Sequence, residues 1–491
     1  MYTLLIRHIS THIMLLRSAL LAGILVFCFL LHNSSARQVH LEAAMYTTGS
    51  TSDRLPFWTG AHRDGLFNEK HPWSGLISLD GEMPFTYGAF NFEAGAQIFM
   101  RQGKDTKASF NQFYITAAYH SLLFYAGRRA VTYGSQHPTL STGSMMWSRN
   151  ATPLPKIYIG FPDYVDVPFT GGFVEVQGQL AHGWFDDPRY TSNPQLHEKS
   201  MFIRLGGDLP VRAYGGLIHY ALFGGTTPGL GRNPRGFSDY LTVFFFGAGG
   251  DDSVIYEQEF ALGDHLGAWD FGLDFDISGN RLWLYKQSVI ETKKSLLFNA
   301  AEDGLYGIAY FRENPDHWWS SLLWEVVYTK NQNGPWWAED PDRPPGKSGQ
   351  MNYYNHYLYR TGWTYHGRTI GSPLLYPRLE GGIKDQNRIA NNRILAHHLG
   401  IEGRPADNLY YKAVFTYSRN YGTYRERDLA EERGEEYFFT GGPEQVSVML
   451  EGAYRLPGRH NLELMTSLAL DVGSVFPDRG GVLVGLRWTP R

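Results

Sequence analysis

Much of the chain consists of segments in which apolar and polar residues alternate one by one. Within 91–101 the even positions from Phe92 to Met100 are apolar, whereas most odd positions from Asn91 to Arg101 are polar or glycine. Successive side chains of a strand point to opposite faces, so this pattern predicts strands with one apolar and one polar face. Similar alternation recurs in segments 269–277, 409–419, 446–456, 461–473 and 482–488.

The alternating segments are long. Several extend over about ten residues, which crosses a bilayer when a strand is tilted, whereas strands of globular proteins average about five or six. We therefore predict an all-β fold, a transmembrane antiparallel β-barrel, although strands of a soluble sandwich alternate too. At about 25 residues for each strand with its connection, the chain predicts roughly 18 strands, within the known range.

Aromatic pairs recur near the predicted strand ends. Such residues fit the girdles that barrels place at both membrane interfaces. The alternative is that they pack ordinary loops. The pairs are Trp318-Trp319, Trp336-Trp337, Tyr353-Tyr354 and Tyr410-Tyr411.

A few stretches lack alternation, namely 137–162, 224–236 and 333–382. After the second of these, Ser238 is positioned to cap a short helix from 239 to 246. No segment has the composition of an interdomain linker. We therefore expect a single barrel domain over residues 37–491.

Composition narrows the class of protein. The 491 residues include 55 glycines, 15% aromatic and 43% hydrophobic residues, yet the mean hydropathy is −0.32. These values suit many short amphipathic strands; they exclude a helical membrane protein, which needs stretches of about 20 apolar residues, and they exclude disorder. The net charge of −4 argues against a nucleic-acid partner.

The first 36 residues have the features of a secretory signal. Arg7 and Arg17 precede an apolar run from Ala19 to Leu31, and small residues precede a cleavage point after Ala36. A transmembrane anchor is the alternative, but the run is short for one. The only cysteine, Cys28, lies in this run, so the exported chain has no disulfide and no thiolate metal site.

Catalytic signatures are missing from the sequence. It has neither a Gly-x-Ser-x-Gly elbow nor a His-Glu-x-x-His helix, and 346–348 only resembles the end of a phosphate loop. Asp270, Asp274 and Asp276 share one strand face, which in a barrel is the lumen. The adjacent residues His397-His398 face opposite ways on a strand and suit no common metal. We expect no enzyme activity, no cofactor and no metal.

The segment 351–376 is the most distinctive in composition. It places Arg360, Trp363, Tyr365, His366 and Arg368 among glycines. Aromatic faces stack on sugar C–H surfaces and guanidinium groups bind carboxylates, so these five residues predict a site for an acidic polysaccharide. The alternative is a loop that folds inward and packs the lumen.

Short blocks in a fixed order give the chain a family resemblance. They are LPFW at 55–58, STGSMMW at 141–147, PLPK at 153–156, DYLTVFF at 239–245 before GGDD at 249–252, GWTYHGRTIG at 362–371 and NRILAHH at 392–398. With these blocks the chain resembles the capsule-assembly Wzi family of outer-membrane proteins, in the form found in Bacteroidetes-like bacteria. The resemblance implies a barrel in a Gram-negative outer membrane, with some periplasmic helical structure. It also implies a lectin-like, non-catalytic role in attaching capsular polysaccharide.

The functional hypothesis is therefore a barrel that binds capsular or other surface polysaccharide. A diffusion porin for small polar solutes is the first alternative, and an outer-membrane hydrolase is the second. The expected partners are the polysaccharide and outer-membrane lipid, with the protein acting as a monomer. The resemblance carries over no binding residues, so the site within 351–376 depends on residue chemistry alone.

Overall fold

A computed structural model gives the fold of most of the chain. It describes residues 35–36, 39–259, 261–292, 296–336, 341–342, 349–378, 389–458 and 461–490. Residues 1–34 of the expected signal lie outside this range, and so does Trp337. The structure is a barrel of 18 antiparallel strands with a few short helices.

The barrel strands are numbered here in chain order. They are β1 (His40–Ser50), β2 (Ser74–Tyr87), β3 (Phe90–Gln102), β4 (Thr106–Tyr119), β5 (Leu122–Arg128), β6 (Pro155–Asp166), β7 (Val174–Trp184), β8 (Gln195–Leu205), β9 (Val211–Phe223), β10 (Asp264–Ile277), β11 (Asn280–Ile290), β12 (Gly304–Phe311), β13 (Ser321–Tyr328), β14 (Ile394–Ala406), β15 (Leu409–Asn420), β16 (Glu444–Arg455), β17 (Leu462–Gly473) and β18 (Arg479–Trp488).

Each strand pairs with its neighbours in sequence, and the last strand closes on the first. β18 pairs with β1 in a register that sets Val484 opposite Thr47. Closure gives each of the described barrel strands a paired neighbour on both sides, as a sheet in lipid requires. The predicted fold class and strand number are confirmed.

The two faces of the wall differ as the alternation requires. Outward-facing Ile98, Leu273 and Leu468 are 43%, 40% and 59% exposed, as a lipid-facing surface demands. The inward-facing neighbours Gln97 and Asp274 make polar contacts with other residues of the lumen. Half of each strand is therefore apolar and half polar, which explains the negative mean hydropathy.

Connections at the two ends of the barrel differ in length. The short-turn end carries the connections 88–89, 120–121, 278–279 and 407–408, whereas the long-loop end carries 51–73, 129–154, 224–263, 329–393 and 421–443. Bacterial outer-membrane barrels have short turns on the periplasmic side and longer loops outside. By this rule the long-loop end faces the cell exterior.

Exposed aromatic side chains lie at both rims. Trp73 and Trp184 lie at the long-loop end, and Trp318 and Trp488 at the short-turn end. These positions match the interfacial girdles of membrane barrels. Not every aromatic pair predicted for a girdle lies there, because Tyr353-Tyr354 is buried inside the barrel with both rings fully covered.

In the part of the chain that the structure describes, the helices are α1 (Phe57–Gly60), α2 (Phe237–Phe244), α3 (Ile255–Glu259) and α4 (Tyr424–Arg433). All four belong to connections at the long-loop end, so the orientation rule places them outside the cell, not in the periplasm as the resemblance implied. None of the described helices is both long and apolar enough to cross a membrane.

Helix α2 begins two residues earlier than the sequence suggested. The backbone N–H of Gly236 donates to Asp239 Oδ2 at 2.6 Å, so Asp239 closes the first turn and Ser238 lies within it. The helix packs against the outer wall of the barrel, where Val243 is buried with Phe223. The connection 224–263 is therefore an outer flap that covers part of the lipid-facing surface.

Candidate functional site

Two long connections fold into the lumen at the long-loop end. We call 129–154 the first plug segment and 349–378 the second plug segment. Their apolar residues share one buried cluster with inward-facing residues of the strands. The inward packing considered as an alternative for 351–376 is therefore the arrangement that the structure shows. The plug residues in this cluster include Met145, Met146, Trp147, Tyr353, Tyr354, Trp363 and Tyr365.

The first plug segment is held to the wall by Glu325 of β13. The Glu325 carboxylate accepts hydrogen bonds from Ser141 Oγ at 2.6 Å and from the N–H and hydroxyl of Thr142 at 2.6 and 2.7 Å. Gln287 of β11 accepts from the Met145 N–H at 2.8 Å. The block 141–147, one of those that carry the family resemblance, therefore contains the polar groups that fix this segment.

Asp270 extends the same network. Its carboxylate accepts from the Ser135 N–H at 2.7 Å and from Ser135 Oγ at 2.5 Å. It also accepts from Gln287 Nε2 at 2.9 Å. Asp270 is fully buried, and these bonds replace the water that a solvated carboxylate would have.

The other two aspartates of the predicted luminal face have different surroundings. Asp274 is bound by Arg281 at 2.7 Å and lies 3.5 Å from Arg212. Asp276 accepts the N–H of Gly279 at 3.0 Å in the short turn after β10. The three carboxylates therefore have different roles: Asp270 binds the first plug segment, Asp274 pairs with two arginines, and Asp276 stabilises a turn.

The second plug segment lies against the first. The Tyr354 hydroxyl donates to the Met145 carbonyl, and Ser148 Oγ donates to the Gly371 carbonyl at 2.7 Å. Within the segment, the Trp363 N–H donates to the Tyr354 carbonyl at 3.0 Å. The two segments form one plug, because each supplies polar partners to the backbone of the other.

A small hairpin forms the outer tip of the second plug segment. Thr364–Tyr365 pairs with Arg368–Thr369, and the turn residues His366 and Gly367 have φ of 48° and 78°. Two positive φ values mark the type I′ turn that suits hairpins, and glycine adopts this conformation without strain. Both turn residues are exposed at the long-loop end.

Three of the five residues predicted to bind glycan are built into the plug. Trp363 and Tyr365 are 1% and 0% exposed, so neither ring presents a face for a sugar in this structure. The Arg368 guanidinium donates to the carbonyls of Gly60 (3.0 Å) and Phe67, and burial lowers its pKa. These contacts explain why the segment is rich in aromatic and basic residues.

The remaining two, Arg360 and His366, lie at the surface. The Arg360 guanidinium stacks 4.5 Å from the centre of the Tyr190 ring, and its Nε donates to the Tyr357 carbonyl at 3.0 Å. The His366 N–H donates to Asp187 Oδ2 at 3.1 Å. Burial lowers the pKa of the His366 imidazole and raises that of the Asp187 carboxyl.

Both surface residues face the connection 185–194, which the sequence reasoning missed. Its Asp186 is exposed, pairs with Arg128 and accepts from the Tyr365 hydroxyl. In the sequence this connection is recognisable by its acidic and aromatic residues, Asp-Asp-Pro-Arg-Tyr at 186–190, which lie between two alternating segments. We define the rim cluster as Arg128, Asp186, Tyr190, Arg360 and His366.

The paired histidines have separate environments. His398 faces inward, where its ring nitrogens contact Thr416 Oγ1 at 2.7 Å and the Leu140 carbonyl at 2.6 Å. The His397 ring stacks on Trp324 on the outer face. Within the described residues, no group of three or more His, Cys, Asp or Glu side chains is placed to hold a metal ion.

Comparison with protein-family models gives a match over residues 59–374, to the family described as capsule assembly protein Wzi. The match covers more than half of the chain. The chain belongs to the capsule assembly protein Wzi family. The matched range contains the whole first plug segment and nearly all of the second, so the family likeness covers the residues that fill the lumen.

The solved structure of a Wzi protein has the same fold. Wzi of Escherichia coli matches with a TM-score of 0.57 and 12% identity, over 91% of this chain and 83% of that one. OccK5 of Pseudomonas aeruginosa has a TM-score of 0.44 and 9% identity, over 92% and 97% of the two chains. DcaP of Acinetobacter baumannii has 0.40 and 10%, over 93% and 98%. No match was found among curated protein sequences.

Proposed function

We propose that this Wzi-family barrel holds capsular polysaccharide at the outer face of the outer membrane and catalyses no reaction on it. Membership of the capsule assembly family supports the process. The E. coli Wzi structure is described as a carbohydrate-binding β-barrel involved in group 1 capsule assembly. We extend that description to this chain as a proposal.

The observation that carries the proposal is the bonded plug. A diffusion porin needs an open polar lumen, whereas two segments here fill the long-loop half of the barrel and bond to its wall. The plug also positions the rim cluster, because Tyr365 and the His366 backbone bind the connection 185–194 from below. The barrel thus serves as a rigid support for an outer surface.

The rim cluster has the chemistry that an acidic glycan requires. Arg128 and Arg360 supply guanidinium donors for carboxylates, and Tyr190 supplies a ring held by cation–π stacking. Each contact is weak, but a long polymer offers many repeats, so contacts at one or more barrels add through effective concentration. One closed chain is sufficient, and we propose that it acts as a monomer.

Export is part of the proposal. The segment that ends at Ala36 would direct the chain to the outer membrane and be removed, and residues 37–491 would form the single barrel domain. Lipid would cover the outward-facing apolar band.

Direct binding tests the rim cluster. The purified barrel in detergent is applied to immobilised capsule from the same organism, and association is followed by biolayer interferometry. Arg360→Ala/His366→Ala should weaken binding at least about tenfold, since one charge-assisted contact of Arg360 and one hydrogen-bonding imidazole are lost. Arg433→Ala, an exposed arginine of α4 at the same end, is the matched control and should bind like the wild type. Equal binding by all three proteins would refute the rim assignment.

Polymer length tests the absence of catalysis. Capsule incubated with purified barrel should keep its size distribution on gel filtration. A time-dependent shift to shorter chains would show hydrolysis, and the proposal would then be wrong on this point.

A further inference from the structure

A cavity lies in the lumen below the plug. Its volume is about 390 Å³, at the small end of the range for small-molecule sites. Its walls come from the middle and short-turn parts of β5–β11, and residues 129–135 of the first plug segment cover it on the long-loop side. The ligand route is therefore from the short-turn end, which the orientation rule places in the periplasm.

Aromatic rings form two sides of this cavity. On one side the half-buried Tyr133 ring lies parallel to the buried Tyr158 ring at 6.5 Å, and Tyr164 of the same strand as Tyr158 also lines the cavity with its ring half-buried. On the other side Trp283 Nε1 donates to the Tyr214 hydroxyl at 3.0 Å. Half-buried aromatic rings along a cavity wall suit the C–H faces of a pyranose ring.

Two of the arginines that line the cavity, Arg204 and Arg281, are fixed in place by neighbouring side chains. The Arg204 guanidinium binds Glu175 through two hydrogen bonds at 2.5 and 2.6 Å and lies 4.1 Å from the Tyr164 ring centre. The Arg281 guanidinium binds Asp274 and lies 4.9 Å from the Trp283 ring centre. A guanidinium has five N–H donors, so each retains donors for ligand hydroxyls while its charge is balanced.

Arg129 differs from these two arginines. Its nearest carboxylate oxygen, from Glu93, is 3.8 Å away, and its guanidinium lies 5.2 Å from the Tyr114 ring centre. The cavity wall therefore carries one cation with weak compensation. Such a cation favours a ligand with one negative group.

Neutral polar side chains complete the wall. Gln177, Gln179 and Ser200 line the cavity between the aromatic sides. Amide and hydroxyl groups donate and accept, which matches the hydroxyls of a sugar. Aromatic faces, neutral polar groups and a weakly compensated arginine together describe a site for a sugar and argue against a lipid chain, which would need an apolar wall.

We propose that this cavity binds one or two pyranose units of an acidic glycan from the periplasmic side of the barrel. The inference rests on the proposed function for its ligand class, but it assigns a second site that faces away from the rim cluster. The barrel would then contact glycan at both of its ends, with the plug between them.

Short oligosaccharides test this site. The probe is the fraction released from the organism's own capsule by partial acid hydrolysis, and its binding to the detergent-solubilised barrel is measured by isothermal titration calorimetry. Tyr164→Ala and Arg129→Gln should each weaken binding about tenfold, because one loses a stacking ring and the other a charged donor. Phe271→Ala, which removes an outward-facing ring of β10, should leave the affinity unchanged.

The outcomes separate this inference from the proposed function. If Arg360→Ala/His366→Ala binds the oligosaccharide like the wild type while Tyr164→Ala loses it, the probe occupies the cavity; normal binding by both variants would overturn the inference. If that double variant loses the probe while Tyr164→Ala keeps it, the sugar sits at the rim cluster and the cavity inference is wrong. An absence of probe binding by the wild type would also overturn it, even if whole capsule still binds. Gln177→Ala replaces Tyr164→Ala if the latter fails to give a heat-modifiable folded barrel.

Discussion

Glu325 of the barrel wall accepts hydrogen bonds from both the N–H and the hydroxyl of Thr142 in the first plug segment, at 2.6 and 2.7 Å. The two residues are 183 positions apart in sequence, and both are fully buried. A buried carboxylate with several donors is stable only while all of them remain in place. The position of the first plug segment therefore depends on the Glu325 carboxylate of the wall.

Replacement of this carboxylate should loosen the plug. In Glu325→Ala the donors of Ser141, Thr142 and Tyr285 lose their acceptor, at a cost of about 1–3 kcal/mol for each buried group left unsatisfied. We expect new protease cleavage within 137–147 and larger, flickering conductance steps in planar bilayers. The wild type should show neither.

An exposed carboxylate gives the control for that experiment. Asp316→Ala, at the short-turn end, removes a side chain that is 71% exposed and should leave cleavage and conductance unchanged. Large, steady conductance by the wild-type barrel would contradict the closed plug and favour the porin hypothesis.

A buried ion pair also fixes the wall to the plug. Lys156 Nζ lies 2.9 and 3.0 Å from the two carboxylate oxygens of Glu198, both side chains are fully covered, and the Nζ lies 3.7 Å from the Trp147 ring centre. Lys156→Met leaves Glu198 buried without its partner and should destabilise the barrel by about 3–5 kcal/mol. Urea unfolding in detergent, followed by tryptophan fluorescence, measures the change.

The double variant Lys156→Met/Glu198→Leu removes both charges and should recover most of that loss. Lys70→Met, which changes an exposed lysine, should have almost no effect. If Lys156→Met were as stable as the wild type, the pair would contribute nothing to the fold and this interpretation would be wrong.

The outer flap should respond to pH through Glu257 of α3. Its carboxylate accepts the Gly263 N–H at 3.0 Å, and burial raises its pKa from 4.5 to about 7. The raised pKa favours the protonated form in the packed flap, so flap stability is full below about pH 4.5 and declines as pH rises towards 7. Glu257 also interacts electrostatically with the Asp264 carboxyl and the Tyr359 hydroxyl.

Hydrogen exchange of peptides covering 249–263 tests this at pH 5 and pH 8, with wild type and Glu257→Gln compared at each pH. The wild type should lose protection at pH 8 relative to the glutamine variant, because glutamine does not ionise. Identical pH dependence in both proteins would show that Glu257 does not control the flap.

Among the five residues predicted to bind glycan, substitution of a buried residue and substitution of a surface residue should have different effects. Trp363→Ala removes a fully buried ring from the plug core and should cost about 3–5 kcal/mol, with reduced barrel in the membrane. Arg360→Ala should leave barrel amounts unchanged and reduce only capsule binding. Quantitative immunoblots of outer membranes, read beside capsule binding, separate the two effects. Normal folding with lost binding in Trp363→Ala would restore the sugar-stacking hypothesis for that ring.

The sequence predicted the barrel because each strand carries its own period-two pattern. Leu273 and Asp274 are adjacent, and strand geometry alone assigns one to lipid and the other to the lumen. The strand number followed from length, since each hairpin is a local unit of nearly constant size. These features depend on near neighbours and need no knowledge of distant contacts.

The plug could not be predicted in the same way. Tyr353 and Tyr354 resemble girdle residues in sequence, and only the bond from Tyr354 to Met145, 209 positions away, shows that they lie inside. Trp363 and Arg360 have similar neighbours in sequence, yet one is buried and the other faces the surface. Distant loops decide which side chain is covered, so residue chemistry alone could not show that Trp363 and Tyr365 are buried.

Deletion of the gene, followed by separate assay of cell-bound and released capsule, tests the attachment function most directly. The account predicts that total polysaccharide is unchanged while the bound fraction falls and the released fraction rises, and that the wild-type gene restores both. A loss of total exported polysaccharide, or an unchanged bound fraction, would contradict it.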